Sequence, residues 1–124
     1  MRKPKSIRVL LKRPDKDFET VYFDFTAQNM LEYFGVDSLD EIFSMNCLLC
    51  KNTIVMNTYS SNEKNCEVFN TVFDGPLIFV GERHNGTYCD ISTEDAETVK
   101  HWTVEPSAKP KKKRVFGGKF LWEV

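Results

Sequence analysis

The spacing of hydrophobic and polar positions changes several times along this chain, and each change marks an element. The plainest stretch is 74–102. Gly75-Pro76 interrupts the backbone, and Leu77, Ile78, Phe79 and Val80 then form an unbroken apolar run rich in β-formers, which predicts a central strand buried on both faces. Gly81-Glu82 ends that run. Asn85-Gly86 is the dipeptide that tolerates positive φ at both central positions of a type I′ turn, and residues 87–91 alternate polar and apolar. A hairpin whose return strand has one wet face is expected. Ser92 stands where an N-cap belongs, with Glu94 and Asp95 placed to meet the positive end of a helix running to Trp102. Ala96, Val99 and Trp102 form its apolar stripe, directed at the sheet.

Upstream, Ile7, Val9 and Leu11 alternate with Arg8, Leu10 and Lys12, which predicts a half-buried strand over residues 7–12. Asp15-Lys16-Asp17 is turn chemistry, and Val21, Phe23 and Phe25 supply the matching strand of a hairpin over 20–25. Thr26 caps a predicted helix over 27–34, with Met30, Leu31 and Phe34 on its apolar side and Gly35 closing it. Ser38-Leu39-Asp40-Glu41 predicts a further short helix within 36–43. Residues 44–50 and 53–59 read as a second hairpin about Lys51-Asn52, 60–65 as a polar loop, and 67–73 as a short edge strand. The expected fold class is α+β: a small, mostly antiparallel sheet of hairpins, about five to seven strands, with two or three short helices. Residues 1–102 form the domain, 103–114 a basic linker containing Pro106 and Pro110, and 115–124 an apolar C-terminal segment.

Charge changes this picture more than composition does. The net charge of −1 hides a segregation: residues 1–13 hold six basic and no acidic side chains, 14–102 hold five basic and sixteen acidic, and 103–124 hold six basic and two acidic. An acidic body therefore carries basic ends. Two binding readings stand beside a merely solvated surface. In the first, Asp37, Asp40, Glu41, Glu94, Asp95 and Glu97 face a basic groove on a protein partner. In the second, Arg2, Lys3, Lys5, Lys111, Lys112, Lys113 and Arg114 make weak phosphate contacts to nucleic acid. No apolar segment approaches the roughly 20 residues that span a bilayer, so a cytoplasmic protein is expected.

Cys47-Leu48-Leu49-Cys50, with Cys66 and Cys89, would permit a four-thiolate zinc site by number alone. Against it, the pair lies in a stretch that reads as a strand, where Cys47 and Cys50 face opposite sides, and no second Cys-x-x-Cys or His pair follows. Buried thiols, with no cofactor, are the expectation. His84 in the hairpin turn and His101 near a helix end have structural roles. No Gly-rich phosphate loop, Gly-x-Ser-x-Gly or His-Glu-x-x-His is present, so a non-enzymatic protein is expected. Phe116, Phe120, Leu121 and Trp122, around Gly117-Gly118, predict either a final strand or a docking peptide, and a homodimer through this segment is one outcome.

The order of basic strand, hairpin, short helix from Thr26 to Gly35, strand pair, Gly75-Pro76-Leu77-Ile78-Phe79-Val80-Gly81 and a Ser-Thr-Glu-Asp helix start resembles a family of small proteins of unknown function. Phages and other mobile elements of Gram-positive bacteria carry that family. The resemblance covers roughly residues 6–102, and the chain departs from it at 60–73 and after 103. It implies no active site. It implies instead an accessory protein in the cytoplasm of a bacterial host, one that binds and inhibits or modulates a host nucleic-acid-processing complex, as an anti-CRISPR protein does.

Overall fold

The computed structural model describes residues 6–106. Strand β1 (Ser6–Lys12) pairs antiparallel with β2 (Glu19–Asp24), Val9 opposite Val21, and along its other edge with β7 (Leu77–Glu82), Leu11 opposite Ile78. β7 pairs in turn with β4 (Thr53–Thr58), and β4 with β3 (Ile42–Asn46). The strand order is β2-β1-β7-β4-β3, with β8 (Tyr88–Cys89) joined to the end of β7. β7 holds the centre because its apolar run serves two cores at once: Leu77 and Phe79 belong to one, Ile78 and Val80 to the other. A second sheet has the order β6-β5-β9, from β6 (Thr71–Asp74), β5 (Lys64–Val68) and β9 (Thr103–Val104).

The helices cover opposite faces of the larger sheet. α1 (Ala27–Phe34) starts where Thr26 Oγ1 accepts from the Asn29 N–H at 3.1 Å and stops at Gly35, whose φ of 68° admits the αL cap. It lays Met30, Tyr33 and Phe34 on Val9, Leu11, Ile54, Met56 and Val80. α2 (Thr93–His101) starts where Ser92 Oγ accepts from the Asp95 N–H at 3.0 Å. It brings Ala96 and Val99 to the other face, where Leu10, Val55 and Phe79 meet Cys66, Val68 and Phe73 of the second sheet.

A polar joint ties the two sheets together. Lys12 is wholly buried, and its ammonium donates to Asn65 Oδ1 at 3.0 Å and to the Arg13 carbonyl at 3.2 Å, with Glu105 Oε1 at 3.2 Å as counter-charge. Asn65, also without exposure, donates to the carbonyls of Lys12 and Gly75, each at 2.7 Å. A buried cation is tolerated only where its donors and charge are matched this fully.

The fold is α+β and mostly antiparallel, but the described residues hold nine strands in two sheets rather than five to seven in one. Residues 67–73 contain not one edge strand but the ends of β5 and β6, joined by a two-residue turn at Phe69-Asn70. The helix expected within 36–43 is a single 3₁₀ turn, Leu39–Glu41, because Ile42 and Phe43 enter β3. β1 is buried on both faces rather than half-buried, since the second sheet covers Leu10 and Lys12. Asn85-Gly86 forms no type I′ turn: only Gly86 has positive φ, and Asn85 Oδ1 accepts from the Thr87 N–H in a longer loop. Trp102 is half exposed rather than laid on the sheet, and Thr103-Val104 pairs with β5 where a linker was expected to begin.

Arg2, Lys3, Lys5, Lys111, Lys112, Lys113 and Arg114, and the C-terminal Phe116, Phe120, Leu121 and Trp122, lie outside the described residues. Among the described residues, no helix is long and apolar enough to cross a membrane.

Candidate functional site

The six acidic residues do not converge. Asp37, Asp40 and Glu41 follow α1, whereas Glu94, Asp95 and Glu97 belong to α2, which packs on the opposite face of the larger sheet. Asp95 faces inward: its carboxylate accepts from Thr53 Oγ1 at 2.7 Å and from the Asn52 N–H at 3.4 Å, fixing the start of β4 to the helix. No partner reaches it. Glu41 is held by Ser60 Oγ and by the Asp37 N–H, and Glu97 lies 3.8 Å from Lys100. What persists is a diffuse negative field, since residues 6–106 hold seventeen acidic and eight basic side chains.

The cysteines depart further from expectation. β3 ends at Asn46, and Cys47-Leu48-Leu49-Cys50 is a tight turn in which the Cys50 N–H donates to the Cys47 carbonyl at 3.3 Å. Leu49 takes φ of 66° at the third position, the pattern of a type II turn that ordinarily carries glycine there. Instead of facing apart, the Cys47 and Cys50 sulfurs lie 3.5 Å from each other. Among the described residues no group of three or more His, Cys, Asp or Glu is placed to hold a metal, so Cys66 and Cys89 do not complete a four-thiolate set. Burial is the main cause that raises the Cys47 and Cys50 thiols above their ordinary range, and the Asp95 carboxylate adds to it.

This turn borders two hollows. On one side a polar cleft of about 350 Å³ is lined by Cys47, Cys50, Lys51, Glu82, Arg83 and His84. On the other, a recess of about 170 Å³ lies between Met45, Cys47, Leu48, Val68, Phe69 and Phe73. Phe69 comes from the turn between β5 and β6, where it has φ of 51° and Asn70 has φ of 68°. Two-residue hairpin turns with both φ values positive favour Asn-Gly, so a phenylalanine at the first position is against local preference. Its ring packs on Trp102 at 6.5 Å between centroids.

Around the recess the surface is apolar. Leu48, exposed, lines it, Leu49 is exposed in the same turn, and Trp102, half exposed, packs on Phe69; Val72 and Val104, 71% and 60% exposed, flank Glu67 on the outer face of the second sheet, the face away from Val68 and Phe73. Exposed apolar residues scattered singly are ordinary, but a contiguous set of them marks a contact surface. Its chemistry is that of a docking site: aromatic and aliphatic side chains around an apolar hollow. The sequence reading missed this site because its parts come from three separate segments. The available signal was Leu48-Leu49 between two cysteines, which sits in a turn rather than a strand.

No protein-family model, curated protein or solved structure matches the chain, so its function is read from this geometry.

Proposed function

We propose that this protein is a non-catalytic binding module that docks on a protein partner through the apolar surface of Leu48, Leu49, Phe69 and Trp102 beside the recess. The observation that carries the reading is the backbone of Leu49 and Phe69, both at positive φ in the two turns that border one recess. Such a conformation costs a residue with a side chain roughly 1–2 kcal/mol. Exposure of Leu49 does not benefit the isolated fold but presents an apolar group to a partner, and Phe69, partly buried against the core and Trp102, shapes the recess beside it. The surrounding acidic excess favours a partner with a basic surface and speeds the encounter. Enzymes that process nucleic acids offer such surfaces, in keeping with the resemblance to small accessory proteins of phages and mobile elements. The proposed role is to bind and block or modulate such a complex.

The test is capture from a bacterial lysate with the full chain as bait, at low and high salt, beside Leu49→Asn and Trp102→Ala baits. The expected result is a basic nucleic-acid-processing protein whose recovery falls with salt and is lost with both variants. Equal recovery on all three baits overturns the apolar docking site; a salt-independent partner removes the steering role of the acidic body.

A further inference from the structure

We propose that Cys47 and Cys50 form a reversible dithiol–disulfide couple that exchanges with small disulfides of the glutathione class. Three features of the turn support it. The two sulfurs lie 3.5 Å apart, so only a short approach separates them from a bonded distance of about 2.05 Å. The turn that joins the cysteines is already closed by its own backbone hydrogen bond, and the Cys47 N–H is fixed to the Thr53 carbonyl at 2.9 Å, so no segment must refold. The two thiols also differ in access: Cys47 is buried, whereas Cys50 is partly exposed on the polar cleft. Cys50 is thus the entry point and Cys47 the resolving thiol.

The exchange balances as follows. Cys50, as thiolate, attacks one sulfur of the small disulfide; an S–S bond forms, the original one breaks, and one small thiolate leaves and takes up a proton. Cys47 then loses its proton and attacks Cys50 Sγ, which closes the internal bond and expels the second small thiol. Two protein thiols are oxidised, and one small disulfide is reduced to two thiols. Burial keeps the thiolate fraction of Cys50 low at neutral pH, so the exchange is slow there and quickens as pH rises. The charged groups facing the pair are Asp95 from α2, Lys51 on the same connection, and Glu82, Arg83 and His84 across the cleft. Because the cross-link encloses Leu48 and Leu49, it also fixes the turn of the docking site; that consequence alone rests on the function proposed above.

The experiment incubates the full chain in glutathione buffers of graded poise, quenches with an alkylating agent and maps the cysteines by mass spectrometry. The expected product is a peptide with Cys47 and Cys50 joined, lacking two hydrogens, that opens on return to reducing buffer. In Cys47→Ala the reaction should stop at a glutathione adduct on Cys50; in Cys50→Ala, Cys47 should remain unmodified. Circular dichroism confirms that each variant is folded. A stable Cys50 adduct in the unaltered chain, or alkylation of both thiols at every poise, overturns the proposal. Partner capture plays no part in this readout, so its failure leaves the docking reading untouched, and the reverse also holds.

Discussion

Asn65 does more for this molecule than its polar character suggests. It has no exposed surface and makes three hydrogen bonds, one from the Lys12 ammonium and two to carbonyls on β1 and in the Gly75 turn. Asn65→Ala would take the side-chain donor from two buried carbonyls, each at a cost of roughly 1–3 kcal/mol, and one of three partners from the Lys12 ammonium. The expected outcome is a loss of about 3 kcal/mol or more in urea unfolding, against a much smaller effect of an alanine at exposed Asn62. Cys66 governs a second expectation. Burial pushes its thiol up from 9.0 to about 11, opposed by the Lys12 ammonium and reinforced by Glu105. A group whose folded-state value is raised keeps its full stabilising effect below its unfolded value and loses it as pH climbs through the folded one. Stability should therefore hold from neutral pH to about 9 and fall between 9 and 11, with a shallower fall in Cys66→Ala. Tyr33, Cys47 and Cys50 are shifted in the same direction by burial, so they steepen the fall without reversing it.

Among the elements, those built on a local pattern were legible in the sequence. β7 shows itself by four consecutive apolar residues, α1 by Thr26 and Gly35, and α2 by Ser92 with two acids in its first turn. The turns at Cys47–Cys50 and Phe69-Asn70 were not legible, because neither carries the glycine that its backbone angles favour. Local preference and global structure disagree at these two turns, and both border the proposed docking recess. The acidic residues misled for a related reason: charge is countable along a chain, but its gathering on one face depends on topology. Leu49→Asn tests the meaning of the disagreement at one turn. Asparagine tolerates positive φ, and Leu49 is 69% exposed, so stability should stay level or rise by up to about 1 kcal/mol while partner capture weakens. A drop in stability with capture unchanged would make Leu49 an ordinary structural residue.

For the whole molecule, the cores of residues 6–106 close on both faces of the larger sheet, and exposed apolar residues are left on several elements, Tyr22, Leu39 and Tyr59 as well as Leu48, Leu49 and Trp102. Deleting residues 115–124 tests what the C-terminal apolar segment adds to this body. If it completes a sheet edge of its own domain, losing two or three buried aromatics at roughly 1.5–3 kcal/mol each lowers the melting temperature by several degrees. If it docks on another chain, the melting temperature holds and association disappears. A truncation that alters neither removes both roles.

The central position of β7 also bears on how the protein is made. Its two neighbours, β1 and β4, are synthesised well before it, and each pairs along the edge that β7 will fill. Until residues 77–82 have left the ribosome, β1 and β4 lack the strand that fills the gap between the β1–β2 and β3–β4 pairs. The nearest substitute for β7 is the other hairpin, or the same hairpin on a second nascent chain. Assembly by such distant pairing is slow. Yield in the cell should therefore depend on how fast translation passes Leu77 and on chaperones that shield β1 and β4 in the interval.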